Sequence, residues 1–207
     1  MRAVVFDAMG VLYQSWDDLV ELLIPFAREH GSRQSDVEIG AVYRRAMVGE
    51  LTTSALWQGL GVLGQTADLD RTYLAGHRVV PGMIELLDEL RDQGARLGCI
   101  SNDISEWSRA LRATHGLDER IRHWTISGDV HVRKPDERIY RAFLASSGLS
   151  PDTVRFVDDR AKNIDAAAAL GFDTILVDFA GVGSEPRAVK TVPDLRAALR
   201  RTMRDRG

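Results

Sequence analysis

Residues 4–13 read VVFDAMGVLY, an apolar run that is interrupted by the single carboxylate of Asp7. Four later runs are also rich in Val, Ile and Phe: RLGCISN (96–102), HWTISGD (123–129), TVRFVDD (153–159) and DTILVDF (173–179). None of these runs alternates cleanly between polar and apolar residues. This pattern indicates strands that are covered on both faces, as in a parallel sheet.

Segments with helical periodicity separate the predicted strands. They cover residues 81–94, 104–116, 136–148 and 161–171, and most of them end at a glycine, which commonly stops a helix. Strand and helix therefore alternate along the chain. This order predicts an α/β fold with an open parallel sheet that is flanked by helices and joined by right-handed crossovers.

The interval from residue 14 to residue 80 breaks this alternation. It contains no convincing strand, only amphipathic segments over 16–31, 36–49 and 53–64. We therefore predict a helical insert over residues 14–80, with residues 1–13 and 81–207 forming the α/β core. The aromatic residues of the insert occur at the spacing of apolar helix faces, which favours packing roles for them.

Composition narrows the classes of partner. The 27 basic and 30 acidic residues give a net charge of -3, without the basic patch that nucleic-acid binding requires. Cys99 is the single cysteine, which excludes an intramolecular disulfide and indicates a reducing compartment. No apolar run approaches about 20 residues, so we expect a cytoplasmic protein without a membrane partner. The sequence leaves the oligomeric state open, and the C-terminal RAALRRTMRDRG (196–207) is typical of a solvated basic helix end.

Polar side chains follow the predicted strands, at the edge where ligands bind in open parallel sheets. They are Asp7 after the first strand, Ser101 and Asn102 after the second, Lys134 after the third, and Asp158 and Asp159 after the fourth. A polar residue at one strand end is commonly explained by turn or helix-cap formation. Polar residues at four strand ends on one edge predict a binding site there.

The chemistry of these side chains favours phosphoryl transfer. Three carboxylates that meet would repel one another unless a hard divalent cation such as Mg²⁺ lay between them. Lys134 would add a fixed positive charge, and the hydroxyl of Ser101 would donate to an anion. In such a site Asp7 can act as a nucleophile and form an aspartyl-phosphate.

Four segments together resemble the motifs of the haloacid dehalogenase-like hydrolase superfamily. They are FDAMGVL (6–12), ISN (100–102), RKPDERIY (133–140) and FVDDRAKNIDAAAALG (156–171), in the family's order. The resemblance implies a Rossmann-like sheet, and the helical insert resembles the small α-helical cap of many members. It also implies a role for each matched residue: Asp7 as nucleophile, Ser101, Asn102 and Lys134 as ligands of the transferred group, Asp7, Asp158, Asp159 and the backbone carbonyl of Met9 as ligands of Mg²⁺, and Asn163 as a support of that loop.

Met9 is the main departure from the family pattern. Phosphatases of the family have a second aspartate at this position, which protonates the leaving group and later activates water. A thioether does neither, and general acid–base catalysis is typically worth about 10²–10⁴ in rate. The backbone carbonyl of Met9 remains available to a metal ion.

Three hypotheses follow from this departure. The first is a Mg²⁺-dependent phosphohydrolase that is weak, restricted to good leaving groups, or supplied with a proton by Tyr13, His131 or His30. The second is a metal-independent 2-haloacid dehalogenase, since expelling a halide requires no proton, although such members do not usually carry the acidic pair. The third is a catalytically impaired domain that binds a phosphorylated ligand or a partner protein.

The expected partner is a small phosphorylated or halogenated metabolite. Its identity would be set by side chains of the insert that face the cleft, and periodicity does not tell which face that is. Arg28, Arg44 and Arg45 are candidates to meet an anionic substrate, although a solvated helix face explains them more simply.

Overall fold

A computed structural model describes residues 3–183 and 185–204. The described residues form a five-stranded parallel sheet in the order β3-β2-β1-β4-β5. Its strands are β1 (Ala3–Phe6), β2 (Arg96–Ser101), β3 (His123–Ile126), β4 (Val154–Asp158) and β5 (Asp173–Leu176). The predicted open parallel sheet is confirmed. The chain runs outward from β1 through β2 to β3 and then crosses to β4, so the order of the strands reverses at β1 and β4.

Helices cover both faces of the sheet. Outside the insert they are α5 (Met83–Asp92), α6 (Ser105–Thr114), the short α7 (Ser127–Val130), α8 (Glu137–Ser147), α9 (Ala161–Ala169) and α10 (Val192–Arg204), and a 3₁₀ turn (Pro151–Thr153) precedes β4. The side chains of β1 show how the faces are filled. Val4 and Phe6 pack in one apolar cluster, whereas Val5 packs in another on the opposite face. This double burial is why the strands lack polar alternation.

Helix α10 corrects the prediction for the C-terminal segment. Leu199, inside the predicted segment, and Leu195 just before it are buried in the same apolar cluster as Val4 and Phe6, so the part of this helix up to Leu199 packs against the core and is not wholly solvated. Residues 205–207 of the predicted tail lie outside the described residues. No helix in the described part of the chain is long and apolar enough to cross a membrane.

The insert consists of helices that pack on one another. They are a π-helical turn (Leu19–Leu23) that continues into α1 (Ile24–Glu29), followed by α2 (Asp36–Met47), α3 (Thr53–Gly59) and α4 (Thr66–Leu74). Ser35 begins α2 with a reciprocal capping box to Glu38, and Thr52 caps α3. Helix α4 was not predicted from the sequence.

Helix α6 joins the insert to the α/β part of the molecule. Ile104 and Trp107 at its start pack in the same apolar cluster as Trp57 and Tyr73 of the insert. The carboxylate of Asp70 accepts hydrogen bonds from the indole nitrogens of both Trp57 and Trp107, each at 2.8 Å. The insert is thus attached by packing as well as by its two chain connections.

The two connections of the insert run side by side. The amide of Val80 donates to the carbonyl of Leu12 at 2.9 Å, and the amide of Gln14 donates to the carbonyl of Arg78 at 2.9 Å. The insert therefore leaves and rejoins the rest of the chain at one place, a few residues after β1.

Candidate active site

Three carboxylates meet at the carboxyl ends of β1 and β4. Asp7 follows β1, and its amide donates to the carbonyl of Val157 at 2.8 Å, which holds it beside Asp158. One carboxylate oxygen from each of Asp7, Asp158 and Asp159 lies within 4.8 Å of the other two. We call these three residues the acidic cluster. The structure thus brings together the carboxylates that the sequence analysis selected.

Gly10 makes room for the acidic cluster. Its φ of +75° lies in the left-handed region, and a Cβ at this position would stand 2.5 Å from Oδ2 of Asp159. A side chain here would collide with Asp159, so the turn after Asp7 requires glycine.

Lys134 is buried between two of the carboxylates. Its side chain is 1% exposed, and Nζ lies 2.8 Å from Oδ1 of Asp7 and 2.8 Å from Oδ2 of Asp158. Burial lowers the pKa of Lys134, but the charges of Asp158 and Asp7 raise it by more, so the net shift is upward. The ammonium is therefore a fixed positive charge at neutral pH.

Asn102 holds the backbone of Lys134. Its Oδ1 accepts from the Lys134 amide at 2.7 Å, and its Nδ2 donates to the Lys134 carbonyl at 3.1 Å. Asn102 was predicted as a ligand of the transferred group. In the structure its amide lines the site and connects the end of β2 to the lysine loop.

Asp158 is saturated by protein donors. Its Oδ1 accepts from the Arg160 amide at 2.8 Å and from Asn163 Nδ2 at 3.0 Å. Its Oδ2 accepts from Lys134 at 2.8 Å and from Asn163 at 3.1 Å. A carboxylate has about four lone-pair sites, so Asp158 is committed to holding Lys134 and the loop after β4.

The acidic cluster carries more negative than positive charge. Burial raises the pKa of Asp7 well above its ordinary value, and the charges of Asp158 and Asp159 raise it further, against the opposing influence of Lys134. Burial and the neighbouring Asp158 raise the pKa of Asp159 to about 7. The ammonium of Lys134 and the guanidinium of Arg160, which lies 3.3 Å from Asp159, do not neutralise three carboxylates. The donors are all oxygens, and the cluster needs more positive charge than the protein supplies. The set therefore fits a hard divalent cation such as Mg²⁺.

Ser101 ends β2 with a buried hydroxyl. The residue is 1% exposed, and its Oγ has no hydrogen-bond partner among the described residues. Leaving a buried polar group unpaired typically costs about 1–3 kcal/mol. An oxygen of a bound anion would satisfy this hydroxyl, as the sequence analysis expected of Ser101.

A family model described as haloacid dehalogenase-like hydrolase matches residues 1–171, which include every residue of this site. The chain belongs to the haloacid dehalogenase-like hydrolase family. The expectation that it is an enzyme of the hydrolase class is confirmed, as is the resemblance stated from its motifs.

Relatives of this haloacid dehalogenase-like hydrolase include phosphatases and dehalogenases. It is 32% identical to phosphoglycolate phosphatase of Rhodospirillum rubrum, over 90% of this chain and 83% of that protein. It is 27% identical to (S)-2-haloacid dehalogenase 1 of Pseudomonas sp. strain CBS-3, over 86% of this chain and 85% of that protein. A family enzyme from Bacteroides thetaiotaomicron, solved with magnesium and inorganic phosphate, superposes with a TM-score of 0.74 at 18% identity, over 89% and 98% of the two chains.

The site of the hydrolase opens into a cavity of about 220 Å³. Asp7, Met9 and Asp159 line it from the α/β part of the molecule, and Tyr43 and Arg44 line it from α2 of the insert. The cavity thus lies between the insert and the carboxyl ends of the strands. Met9 is half-buried and lines this cavity together with Asp7.

The three residues that were considered as replacement acids lie elsewhere. The ring of Tyr13 is buried against His77 and His115, and burial raises its pKa. His131 Nδ1 lies 3.0 Å from the carbonyl of Val48, and His30 stacks on a neighbouring phenylalanine ring. Among the described lining residues of the cavity, none of these three is present, so the structure does not support them as proton donors.

Arg160 is a site residue that the sequence analysis missed. Its Nε lies 3.3 Å from Oδ2 of Asp159, its guanidinium stacks on the ring of Trp16 at 5.1 Å, and Nη2 donates to the Trp16 carbonyl. It thereby joins the acidic pair to the first connection of the insert. Its position directly after Asp158 and Asp159 is the sequence feature that could have identified it.

A second buried carboxylate, Asp18, was also missed. Its Oδ2 accepts from the hydroxyls of Tyr43 at 2.9 Å and Tyr73 at 2.5 Å, and its Oδ1 lies 2.7 Å from Nε2 of His77. We call these four residues the Asp18 cluster. It ties both connections of the insert to helices α2 and α4.

Proposed function

We propose that the chain is a Mg²⁺-dependent phosphohydrolase in which Asp7 is the nucleophile and forms an aspartyl-phosphate. The observation that carries this proposal is that two kinds of group occur together. One is the acidic cluster, which lacks compensating positive charge. The other is a pair of donors for an anion, the ammonium of Lys134 and the buried Ser101 hydroxyl that has no partner among the described residues. Carboxylates alone would suit a metal site. Added donors for an anion suit a metal site that also holds a phosphoryl group.

The two oxygens of Asp7 have different surroundings. Oδ1 accepts from the Ala8 amide at 2.6 Å and lies 2.8 Å from Lys134 Nζ, whereas no donor from the described residues contacts Oδ2. We assign Oδ2 as the attacking oxygen. It would form the bond to phosphorus while the bond from phosphorus to the leaving oxygen breaks, and water would later release phosphate from Asp7.

The remaining residues take separate roles in this proposal. Asp7, Asp159 and the backbone carbonyl of Met9 would hold Mg²⁺, which when bound offsets the charge of the cluster and of the phosphoryl oxygens. Asp158 keeps Lys134 in place, with Asn163 as its own support. Lys134 and Ser101 donate to the phosphoryl oxygens.

Met9 limits the substrates that such an enzyme can use. No proton donor stands where the family's phosphatases have their second aspartate, and this loss is worth about 10²–10⁴ in rate. Compounds whose leaving group needs no proton, such as acyl phosphates, are therefore the favoured class. The phosphatase relatives support phosphate chemistry, and the neighbour solved with magnesium and phosphate supports the metal.

We further propose that residues 14–80 act as a cap over a core made of residues 1–13 and 81–207. This division is supported by the paired connections after β1 and by the cavity that α2 shares with the acidic cluster. Residues of the cap would then select the substrate, which we infer to be a small phosphorylated metabolite.

A metal-independent 2-haloacid dehalogenase is the second candidate. Met9 favours it, because displacing a halide requires no proton, and so does the likeness to (S)-2-haloacid dehalogenase 1. The third carboxylate counts against it. Without a divalent cation, Asp159 would keep only the contact with Arg160 at 3.3 Å to offset its charge.

The deciding experiment measures hydrolysis of acetyl phosphate, p-nitrophenyl phosphate and 2-chloropropionate by the wild type and Asp7→Asn, with Mg²⁺ or with EDTA. We expect Mg²⁺-dependent turnover that is highest for acetyl phosphate and is lost in Asp7→Asn. Asp129→Asn, which alters an exposed carboxylate paired with Arg109, is the matched control. Chloride release in EDTA would instead establish the dehalogenase.

A further inference from the structure

The cavity beside the acidic cluster is lined by four carboxylates and four cationic residues, and the cationic residues differ in whether they have a protein partner. Four cationic residues line it: Arg44, Arg133, Arg160 and Lys162. Arg160 is held by Asp159 and Trp16. Within residues 3–183 and 185–204, neither Arg44 nor Arg133 forms an ion pair with a carboxylate. These two guanidinium groups therefore offer donors to the cavity that no protein acceptor takes.

Other arginines of the insert are paired. Arg28 contacts Asp36 at 2.8 Å, and Arg45 contacts Glu50 at 3.1 Å. Arg45 is adjacent to Arg44 in the sequence. However, neither Arg45 nor its partner Glu50 is among the residues that line the cavity. Adjacent arginines on α2 thus have different environments, and Arg44 alone of the pair faces the site.

Two of the four carboxylates that line the cavity, Asp17 and Asp18, have partners in the protein. Asp18 accepts from two tyrosine hydroxyls and from His77. Asp17 has Arg160 as its cationic neighbour, at 3.5 Å. The other two, Asp7 and Asp159, belong to the acidic cluster. Among the described residues none of the four pairs with Arg44 or Arg133, so the lining itself does not supply the missing anion.

Gly40 shapes the space around Arg44. It lies inside α2, one turn before Arg44, and a Cβ there would stand 3.1 Å from Nη1 of Arg44 and 3.2 Å from a methyl group of Leu19. Glycine disfavours a helix interior. Here its lack of a side chain lets the guanidinium lie close along the helix surface.

Arg133 brings the second charge from the other side of the cavity. It directly precedes Lys134 and is half-buried. Burial lowers the pKa of Arg133, Tyr43 opposes this, and the positive charge of Arg44 lowers the pKa further. Arg44 and Arg133 line the same cavity. Arginine stays charged at neutral pH. Two like charges that converge on one cavity are stabilised when an anion binds between them.

We propose that Arg44 and Arg133 form a second anion subsite that binds a carboxylate of the substrate. This inference rests on the proposed phosphohydrolase function, because it assigns the other end of the same molecule. The planar fork of a guanidinium matches a carboxylate with two parallel hydrogen bonds. A cavity of about 220 Å³ that also holds the phosphoryl group leaves room for a short carbon link. The substrate class is a compact phosphate compound that carries a carboxylate.

The test compares two non-hydrolysable ligands that differ in the carboxylate. Isothermal titration calorimetry in Mg²⁺ would measure the Kd of 3-phosphonopropionate and of propylphosphonate for the wild-type protein. We expect the carboxylated ligand to bind at least about tenfold tighter, since hydrogen bonds between charged groups are the stronger class. In Arg44→Gln and in Arg133→Gln this ratio should fall below about threefold.

Two control variants distinguish specific binding of the carboxylate by Arg44 and Arg133 from non-specific attraction by positive charge in or near the cavity. Arg45→Gln removes the neighbouring charge on α2 that pairs with Glu50, and Lys162→Gln removes an exposed charge of the same cavity. Both should keep the tenfold ratio. A loss in Lys162→Gln as large as that in Arg44→Gln would mean diffuse electrostatic attraction and would overturn the subsite.

The remaining outcomes distinguish the two proposals. Equal wild-type affinity for both ligands would refute the carboxylate subsite and leave the phosphoryl site standing. If neither ligand bound, the phosphohydrolase proposal would fail and the subsite with it. Ethane-1,2-bisphosphonate provides a third arm, because tighter binding of this ligand than of 3-phosphonopropionate would show that the arginines take a phosphoryl group and not a carboxylate.

Discussion

The acidic cluster and the Asp18 cluster both bury carboxylates, but they satisfy them in opposite ways. Asp18 receives donors from Tyr43, Tyr73 and His77. Burial lowers the pKa of His77, yet the hydrogen bond and charge of Asp18 raise it by more, so the imidazole complements the carboxylate. The acidic cluster has three carboxylates against two cationic groups, the buried ammonium of Lys134 and the guanidinium of Arg160 beside Asp159.

This difference distinguishes a cluster that supports the fold from a cluster that can bind a ligand. The Asp18 cluster is complete without any ligand, and it joins the two connections of the insert. The acidic cluster is incomplete without a cation, and Ser101 beside it lacks a partner among the described residues. Both clusters bury charge. A buried polar or charged group that lacks a partner is therefore a better indicator of a functional site than burial of charge alone.

The largest expected effect is on stability, in Lys134→Met. Removing the buried ammonium leaves Asp7 and Asp158 uncompensated, and breaking such a pair typically costs about 3–5 kcal/mol. Mg²⁺ should recover part of this loss, so the melting temperature should rise more on adding Mg²⁺ in the variant than in the wild type. Thermal unfolding with Mg²⁺ or EDTA measures both effects.

Asp18→Asn is the counterpart from the other cluster. It should destabilise the protein by about 1–3 kcal/mol, because the asparagine amide cannot accept from all three donors. Its response to Mg²⁺ should equal that of the wild type. A Mg²⁺ response that was larger in Asp18→Asn than in Lys134→Met would break the distinction between the clusters.

The next effect is a pH dependence carried by Asp103, which lies near the Asp18 cluster. Burial raises the pKa of Asp103 to about 7, the charge of Asp18 adds to this, and the Ile104 amide opposes it. The unfolded carboxyl ionises near pH 4. The proton is therefore bound more tightly in the folded state, and the contribution of Asp103 to the free energy of unfolding should fall by about 3 kcal/mol from pH 5 to pH 8.

Urea unfolding at the two pH values checks this prediction. Asp103→Asn should lose less stability over the interval than the wild type, although not none, because the raised pKa values of His77, Asp7 and Asp159 act in the same direction. The exposed Asp129→Asn should behave like the wild type. Identical pH slopes in Asp103→Asn and the wild type would show that Asp103 ionises normally.

The smallest effect concerns Met9, which lines the cavity beside Asp7. Met9→Asp would restore a proton donor and should raise hydrolysis of p-nitrophenyl phosphate by at least about tenfold. Met9→Leu keeps the apolar character and should show no gain. If Met9→Asp gave no increase either, turnover would be limited by the insert or by the metal site.

The sheet could be predicted because its signal is local. Apolar runs that end in polar residues identify strands and their carboxyl ends, and Asp7, Ser101 and Asp158 follow from that rule. Helix α4 was missed because it is short, with nine residues. Only Leu69 and Tyr73 of this helix are buried, whereas its other positions carry mostly polar side chains.

The rest of the site depends on contacts between distant residues. Asp18 meets Tyr43, Tyr73 and His77, which are 25, 55 and 59 positions away. No local pattern encodes such a meeting. The same holds for the insert's arginines, since only the packing of α2 determines that Arg44, and not Arg45, faces the cavity.

The shared carboxylate of Asp70 has an optical consequence. The indole rings of Trp57 and Trp107 lie 5.4 Å apart at an angle of 41°, close enough for their electronic transitions to couple. One ring belongs to the insert and the other to α6. The circular dichroism of this coupled pair would be lost if the insert and α6 separated. This signal therefore reports, without any added label, whether the insert stays packed against α6.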